Sequence, residues 1–217
     1  EEFRNGRVWE CDPFRPGEGI EPPALGIFAH EAAVTDPRTG FVYLTEDAEK
    51  SRFYRFRPWR NADLSAGILE AASLEAGRVT WIPVSPKAPY RGRNTFAFNR
   101  GEGAWFSRGF VFFTTTGDNR VWALETATDR MEILYDAALL GTEAPLRDPN
   151  NITVHEPSGD IFVAEDADDL ELVLLATGSG QRIAAPFMQL VGHGGSEIAG
   201  PAFTPRGDRL YVTSQRG

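Results

Sequence analysis

The chain repeats itself, and that repetition constrains its fold more than any other feature. Glu31-Ala-Ala-Val-Thr-Asp-Pro-Arg-Thr-Gly40-Phe-Val-Tyr-Leu-Thr-Glu46-Asp47 has a second copy in Asn151-Ile-Thr-Val-His-Glu-Pro-Ser-Gly159-Asp-Ile-Phe-Val-Ala-Glu165-Asp166. Each copy is a polar residue, a short apolar strand, a Pro-to-Gly turn, a second strand and an acidic pair. Looser copies start at Glu102 and Glu197, and a third strand follows in Ser51–Phe56, Asn119–Leu124 and Leu170–Leu175. Short antiparallel strands joined by tight turns are what such a pattern encodes.

Starts at 31, 102, 151 and 197 are spaced by 71, 49 and 46 residues. The last two spacings are those of propeller blades, about 40–50 residues each. The first is a blade plus an insertion over 58–95, itself with a strand-like stretch at 78–84. Helical periodicity is weak, with Met131 to Leu140 as the one candidate helical turn. The expectation is an all-β chain, a single β-propeller domain over 1–217. Asn5–Pro13 resembles the third-strand motif and the final repeat stops after its second strand, so the covered blades should form an incomplete ring that starts and ends mid-blade.

The sequence carries 22 basic and 31 acidic residues, a net charge of −9. A surface that acidic is a poor match for nucleic acid or anionic lipid and a good one for cations. Apolar runs such as Val173–Ala176 are far too short to insert in a membrane. The single cysteine, Cys11, forms no internal disulfide and reads as a small buried residue. Oligomeric state leaves no mark in the sequence.

In a propeller the start of each innermost strand faces the central channel. That places Glu31, Glu102, Asn151 and Glu197 around one axis. Carboxylates gathered there repel one another unless a cation lies between them, and all-oxygen ligand sets suit hard ions such as calcium. For any one of these residues, capping a strand beside a water-filled channel is an equal explanation; the repetition favours a metal site. The acidic pairs Glu1-Glu2, Glu46-Asp47 and Glu165-Asp166 end second strands, where turn chemistry accounts for most such pairs. His30 precedes Glu31. Arg100 stands two residues before Glu102, and its planar fork suits a phosphate or carboxylate.

These segments resemble the PhoX-type alkaline phosphatases. The likeness runs through Phe28-Ala-His-Glu-Ala-Ala-Val, Asp36-Pro-Arg-Thr-Gly-Phe-Val-Tyr-Leu-Thr-Glu-Asp-Ala, Asn99-Arg-Gly-Glu-Gly-Ala-Trp, Asp148-Pro-Asn-Asn-Ile-Thr-Val and Ser196-Glu-Ile-Ala-Gly-Pro-Ala-Phe-Thr-Pro. The resemblance implies a six-bladed propeller exported by the twin-arginine route, hence periplasmic or secreted. It implies a cluster of calcium and iron that hydrolyses phosphomonoesters, with phosphorylated small molecules as substrates. By that resemblance Glu31 and Glu102 are metal ligands and Arg100 holds the substrate phosphate. Asn151, Glu197, Glu1 and Glu2 are further metal positions, and His30 joins Arg100 as a catalytic candidate. Two departures stand out: the family's Gly-Arg-Phe is Gly26-Ile27-Phe28, and its Arg-Pro-Glu is Arg100-Gly101-Glu102. The family's iron-binding cysteine would fall just before residue 1; Cys11 does not replace it, and activity is expected of the full-length parent. Two other readings compete: a calcium-dependent lactone hydrolase of the gluconolactonase kind, with one ion and no arginine clamp, and a propeller that only binds a partner.

Overall fold

Strand ladders account for almost all regular structure in the computed structural model, which describes residues 5–17, 19–87, 94–166, 169–176 and 183–216. The chain is all-β, built from the antiparallel blades of a β-propeller, with only short 3₁₀ turns between strands. It falls into two compact units, Glu1–Gly101 and Glu102–Gly217.

The first unit is one antiparallel meander: β1 (His30–Thr35), β2 (Val42–Glu46), β3 (Tyr54–Pro58), β4 (Gly67–Glu75) and β5 (Arg78–Pro83). The segment 58–95, expected as an insertion, supplies β4 and β5. β4 pairs with β3 and β5 with β4, from Pro58↔Gly67 to Glu75↔Arg78. Every residue of β2 is buried. A strand covered on both faces reads as a continuous apolar run rather than an alternation, as Val42–Leu44 does. Leu25, Phe28, Leu44, Tyr54, Phe56 and Leu69 form its core.

The second unit holds three consecutive blades. The first is β6 (Gly101–Ser107), β7 (Phe110–Thr115), β8 (Arg120–Glu125) and β9 (Arg130–Asp136). The second is β10 (Pro149–His155), β11 (Asp160–Glu165), β12 (Glu171–Ala176) and β13 (Ile183–Gln189); the third contributes β14 (Ile198–Phe203) and β15 (Leu210–Ser214). Neighbouring blades are consecutive in sequence, since β10 packs beside both β7 and β14.

Two local expectations are corrected. Met131–Leu140 is not helical: β9 runs to Asp136 and only Ala137–Leu139 forms a 3₁₀ turn. The apolar residues that suggested helical spacing face β8 across a bulge, where Leu124 meets Met131 and Val121 meets Tyr135. Near the N-terminus the third-strand motif makes only an isolated bridge, Glu10↔Ile20. Pro13, Pro16 and Pro22 deprive that stretch of ladder donors, and Cys11 is exposed rather than buried.

Candidate functional site

The site candidates of the first unit cluster where β1 leaves its ladder partner. His30 pairs with Glu46, and the register then slips before Ala33 meets Leu44, leaving a bulge at Glu31-Ala32. Bulges re-aim side chains and concentrate beside functional sites. The same slip recurs in the second unit, between Pro149 and Ile152 and between Ala199 and Ala202. A device used three times at the start of β1, β10 and β14 is a property of the repeat.

Register also redraws the repeat. Ala33↔Leu44 and Ile152↔Val163 are equivalent pairs, so the counterpart of Glu31 is Asn150, one residue before Asn151. The hairpin after Glu31 is longer than the one after Asn151, closing from Thr35 to Val42 against His155 to Asp160. That length difference had hidden the offset. The doubled amide Asn150-Asn151 was the available signal.

Asn150, Asn151 and Glu197 are brought together. The Asn150 Nδ2 amide lies 3.4 Å from Glu197 Oε2, and Asn151 Nδ2 donates to Asn150 Oδ1 at 2.5 Å. Asn151 Oδ1 accepts the Gly200 N–H at 2.8 Å, across the bulge of β14. The backbone beneath is pinned from the preceding blade: Thr114 donates to the Asn150 carbonyl at 2.5 Å and Thr116 to that of Pro149 at 2.7 Å. Glu102 is buried on β6. It precedes Gly103, where an added Cβ would stand 2.8 Å from the Asn150 carbonyl and 2.9 Å from the Asn151 Cα.

In the first unit His30 is buried and stacks on Phe28, ring centroids 3.6 Å apart. Its Nε2 lies 3.1 Å from the Gly26 carbonyl, which can only accept, so Nε2 carries the hydrogen. Nδ1 is left as a buried acceptor with no hydrogen-bond partner among the described residues. Burial pushes the imidazole down to about 4, against the pull of the Gly26 carbonyl. His30 is therefore neutral near pH 7, with Nε2–H donating to Gly26 and Nδ1 held as an acceptor. Glu31 is half-buried on β1.

Arg100 has a positive φ of 55° and its N–H donates to the Ala48 carbonyl. Its fork grips Asp47 with both arms, Nε to Oδ1 at 2.8 Å and Nη2 to Oδ2 at 3.2 Å. Gly101 follows, and an added Cβ there would meet the Glu46 carbonyl at 3.2 Å. One member of each described acidic pair turns inward, as alternation requires: Glu46 and Glu165 are buried, while Asp47 is half-buried and Asp166 exposed. Glu1 and Glu2 lie outside the described residues. His193 is a turn residue, its Nδ1 held 3.1 Å from the Ser214 hydroxyl.

The family model for alkaline phosphatase PhoX matches residues 1–217. The chain belongs to the PhoX alkaline phosphatase family. Comparison with the curated proteins found no match. Among solved structures, the crystal structure of a nidogen/laminin complex aligns with a TM-score of 0.58 at 14% identity, covering 91% of this chain and 61% of that one. This PhoX-family chain thus spans about three-fifths of that neighbour's length, and the likeness is one of fold alone. A 6-phosphogluconolactonase candidate from Bacteroides uniformis aligns at a TM-score of 0.45 and 10% identity, covering 96% of this chain and 74% of that one.

A cavity of about 550 Å³ lies elsewhere in the second unit, lined by Leu134, Leu139, Leu140, Leu175 and Ile183 among others. It contains none of the residues that the PhoX resemblance singles out. Its apolar lining suits no phosphate.

Proposed function

We propose that this protein is a metal-dependent phosphomonoesterase of the PhoX kind, acting on phosphorylated small molecules outside the cytoplasm. The observation that carries the reading is the family match over residues 1–217. No helix among the described residues is long and apolar enough to cross a membrane. A net charge of −9 argues against a nucleic-acid substrate.

Arg100 is the substrate clamp. Its two donors already point as a fork at two oxygens of Asp47, and two oxygens of a phosphoryl group present the same target. Asp47 keeps that fork extended, so little ordering remains to be done when substrate replaces or joins it. The positive φ at Arg100, secured by the bond to Ala48, turns the side chain out of the strand path. His30 stays neutral through the alkaline range and offers Nδ1 as a fixed acceptor beside Glu31.

Glu31, Glu102, Asn151 and Glu197, together with Glu1 and Glu2, would hold the metals, and Asn150 joins them as the register counterpart of Glu31. The donors are carboxylate and amide oxygens, which fit calcium; iron enters by resemblance. Bound metal would supply Lewis-acid charge to the phosphoryl oxygens and a more acidic water.

The test is hydrolysis of p-nitrophenyl phosphate by the protein that carries this chain, with and without a chelator. Chelation should abolish turnover, and Arg100→Ala should lower kcat/KM by about 10²–10³, the usual cost of deleting one charge-stabilising group. Metal-independent hydrolysis, or an unimpaired Arg100→Ala enzyme, would overturn the assignment.

A further inference from the structure

The two best copies of the repeat differ in charge around one buried glutamate. Ladder register makes Leu44↔Tyr54 equivalent to Val163↔Val173. Glu46 therefore corresponds to Glu165, Lys50 to Asp169, Arg52 to Glu171 and Tyr54 to Val173. In the first copy Glu46 Oε2 accepts the Arg52 N–H at 2.9 Å and the Tyr54 hydroxyl at 3.2 Å. The second copy replaces that hydroxyl with an isopropyl group and both cationic residues with acids.

Glu165 is only 2% exposed, as deeply buried as its counterpart. Its Oε1 accepts the Arg147 N–H at 2.6 Å, and its Oε2 has no hydrogen-bond partner among the described residues. Oxygens of Glu165, Asp169 and Glu171 lie within 4.8 Å of one another. A buried carboxylate oxygen left without a donor is costly, and two more acids beside it add to the cost. Positive charge is the missing partner.

We propose that Glu165, Asp169 and Glu171 bind a divalent cation of the oxygen-preferring, calcium class. The ion takes the place of the donor that the Tyr54 hydroxyl supplies in the first copy, tying Glu165 at the end of β11 to Glu171 at the start of β12. Buried Glu165 supplies a fixed ligand, while half-buried Glu171 and exposed Asp169 leave room for the waters that complete calcium's six to eight ligands. Three carboxylates and a partly open site place the affinity near that of extracellular calcium modules, about 10⁻⁴–10⁻³ M. The site does not depend on the phosphatase reading, because none of its residues belongs to the candidate phosphatase ligands.

Calcium chloride titrated into the chelator-stripped chain, followed by calorimetry and thermal unfolding, tests it. Calcium should raise the melting temperature of the parent and of Glu31→Gln alike. The pair Asp169→Asn and Glu171→Gln should lose one bound ion per chain, weakening that step at least about tenfold. Binding unchanged by those two substitutions would overturn the proposal, as would a parent that gains nothing from calcium. A second variant covers a misfolded first one: Asp169→Lys with Glu171→Arg gives the turn the charges of the first repeat. It should bind one calcium ion fewer per chain than the parent in calorimetry, and its melting temperature should gain less from calcium. An unchanged ion count there would equally overturn the site.

Discussion

A single imidazole shows how burial writes pH dependence into this chain. His30 is lowered from 6.5 to about 4 chiefly because its ring is desolvated, and the folded state therefore favours the neutral form. The unfolded chain takes up the proton at a higher pH than the folded one. Stability from this site is complete above about pH 6.5 and is lost as pH falls toward 4. A displacement of that size corresponds to about 3 kcal/mol at the acid end. Replacing His30 with Gln removes the titrating group. Urea unfolding of the metal-free protein should then depend on pH more weakly between 4 and 6.5, by roughly one proton. An unchanged slope would mean that another group governs acid unfolding. Burial moves the Glu165 carboxyl the other way, up to about 7, against the pull of the Arg147 N–H. Its stabilising influence thus fades as pH rises, and the two residues pull in opposite directions over the same interval.

Between elements, the closest approach near the candidate site is that of β6 to the start of β10. An alanine Cβ at Gly103 would be 2.8 Å from the Asn150 carbonyl, 2.9 Å from the Asn151 Cα and 3.0 Å from the Ile152 nitrogen. All three atoms are backbone, so the strand must move and no side chain can swing away. Gly103→Ala should cost about 1–3 kcal/mol, the range for overpacked interiors. Because the displaced residues include Asn150 and Asn151, activity should fall as well. Denaturant unfolding that shows no loss would mean the two strands slide apart freely. The strands themselves were legible in the sequence: apolar runs on either side of Pro-to-Gly turns marked the hairpins β1–β2 and β10–β11. Two kinds of information were not. Gly67–Glu75 reads Gly-Ile-Leu-Glu-Ala-Ala-Ser-Leu-Glu, with small residues where strands usually carry branched ones, because the sheet buries Ala71 and Ala72 completely. The offset between Glu31 and Asn151 was hidden because loop length and bulges both shift register, and neither changes the hydrophobic pattern. The acid cluster at Glu165 was half visible as Glu165-Asp166, but the partners lie four and six residues on, across a turn that only the β11–β12 register closes.

At the scale of the whole molecule, a net charge of −9 would act on the proposed phosphomonoester substrate and on calcium with opposite signs. A phosphomonoester approaching an alkaline phosphatase of the PhoX family is a dianion near neutral pH and above, and the overall field repels it. Calcium approaching the same surface is attracted. The range of that field is about 30 Å at 0.01 M salt and about 10 Å at 0.1 M, so added salt removes the distant charges first and leaves Arg100 and any bound metal acting at contact. Raising sodium chloride across that range should therefore lower KM for p-nitrophenyl phosphate, by about two- to fivefold, while kcat holds. Over the same range the calcium Kd should rise, because screening weakens the attraction that gathers the ion. The two trends must run in opposite directions in one protein. A KM that climbs steeply with salt would show that a local basic surface, not the acidic whole, steers the substrate.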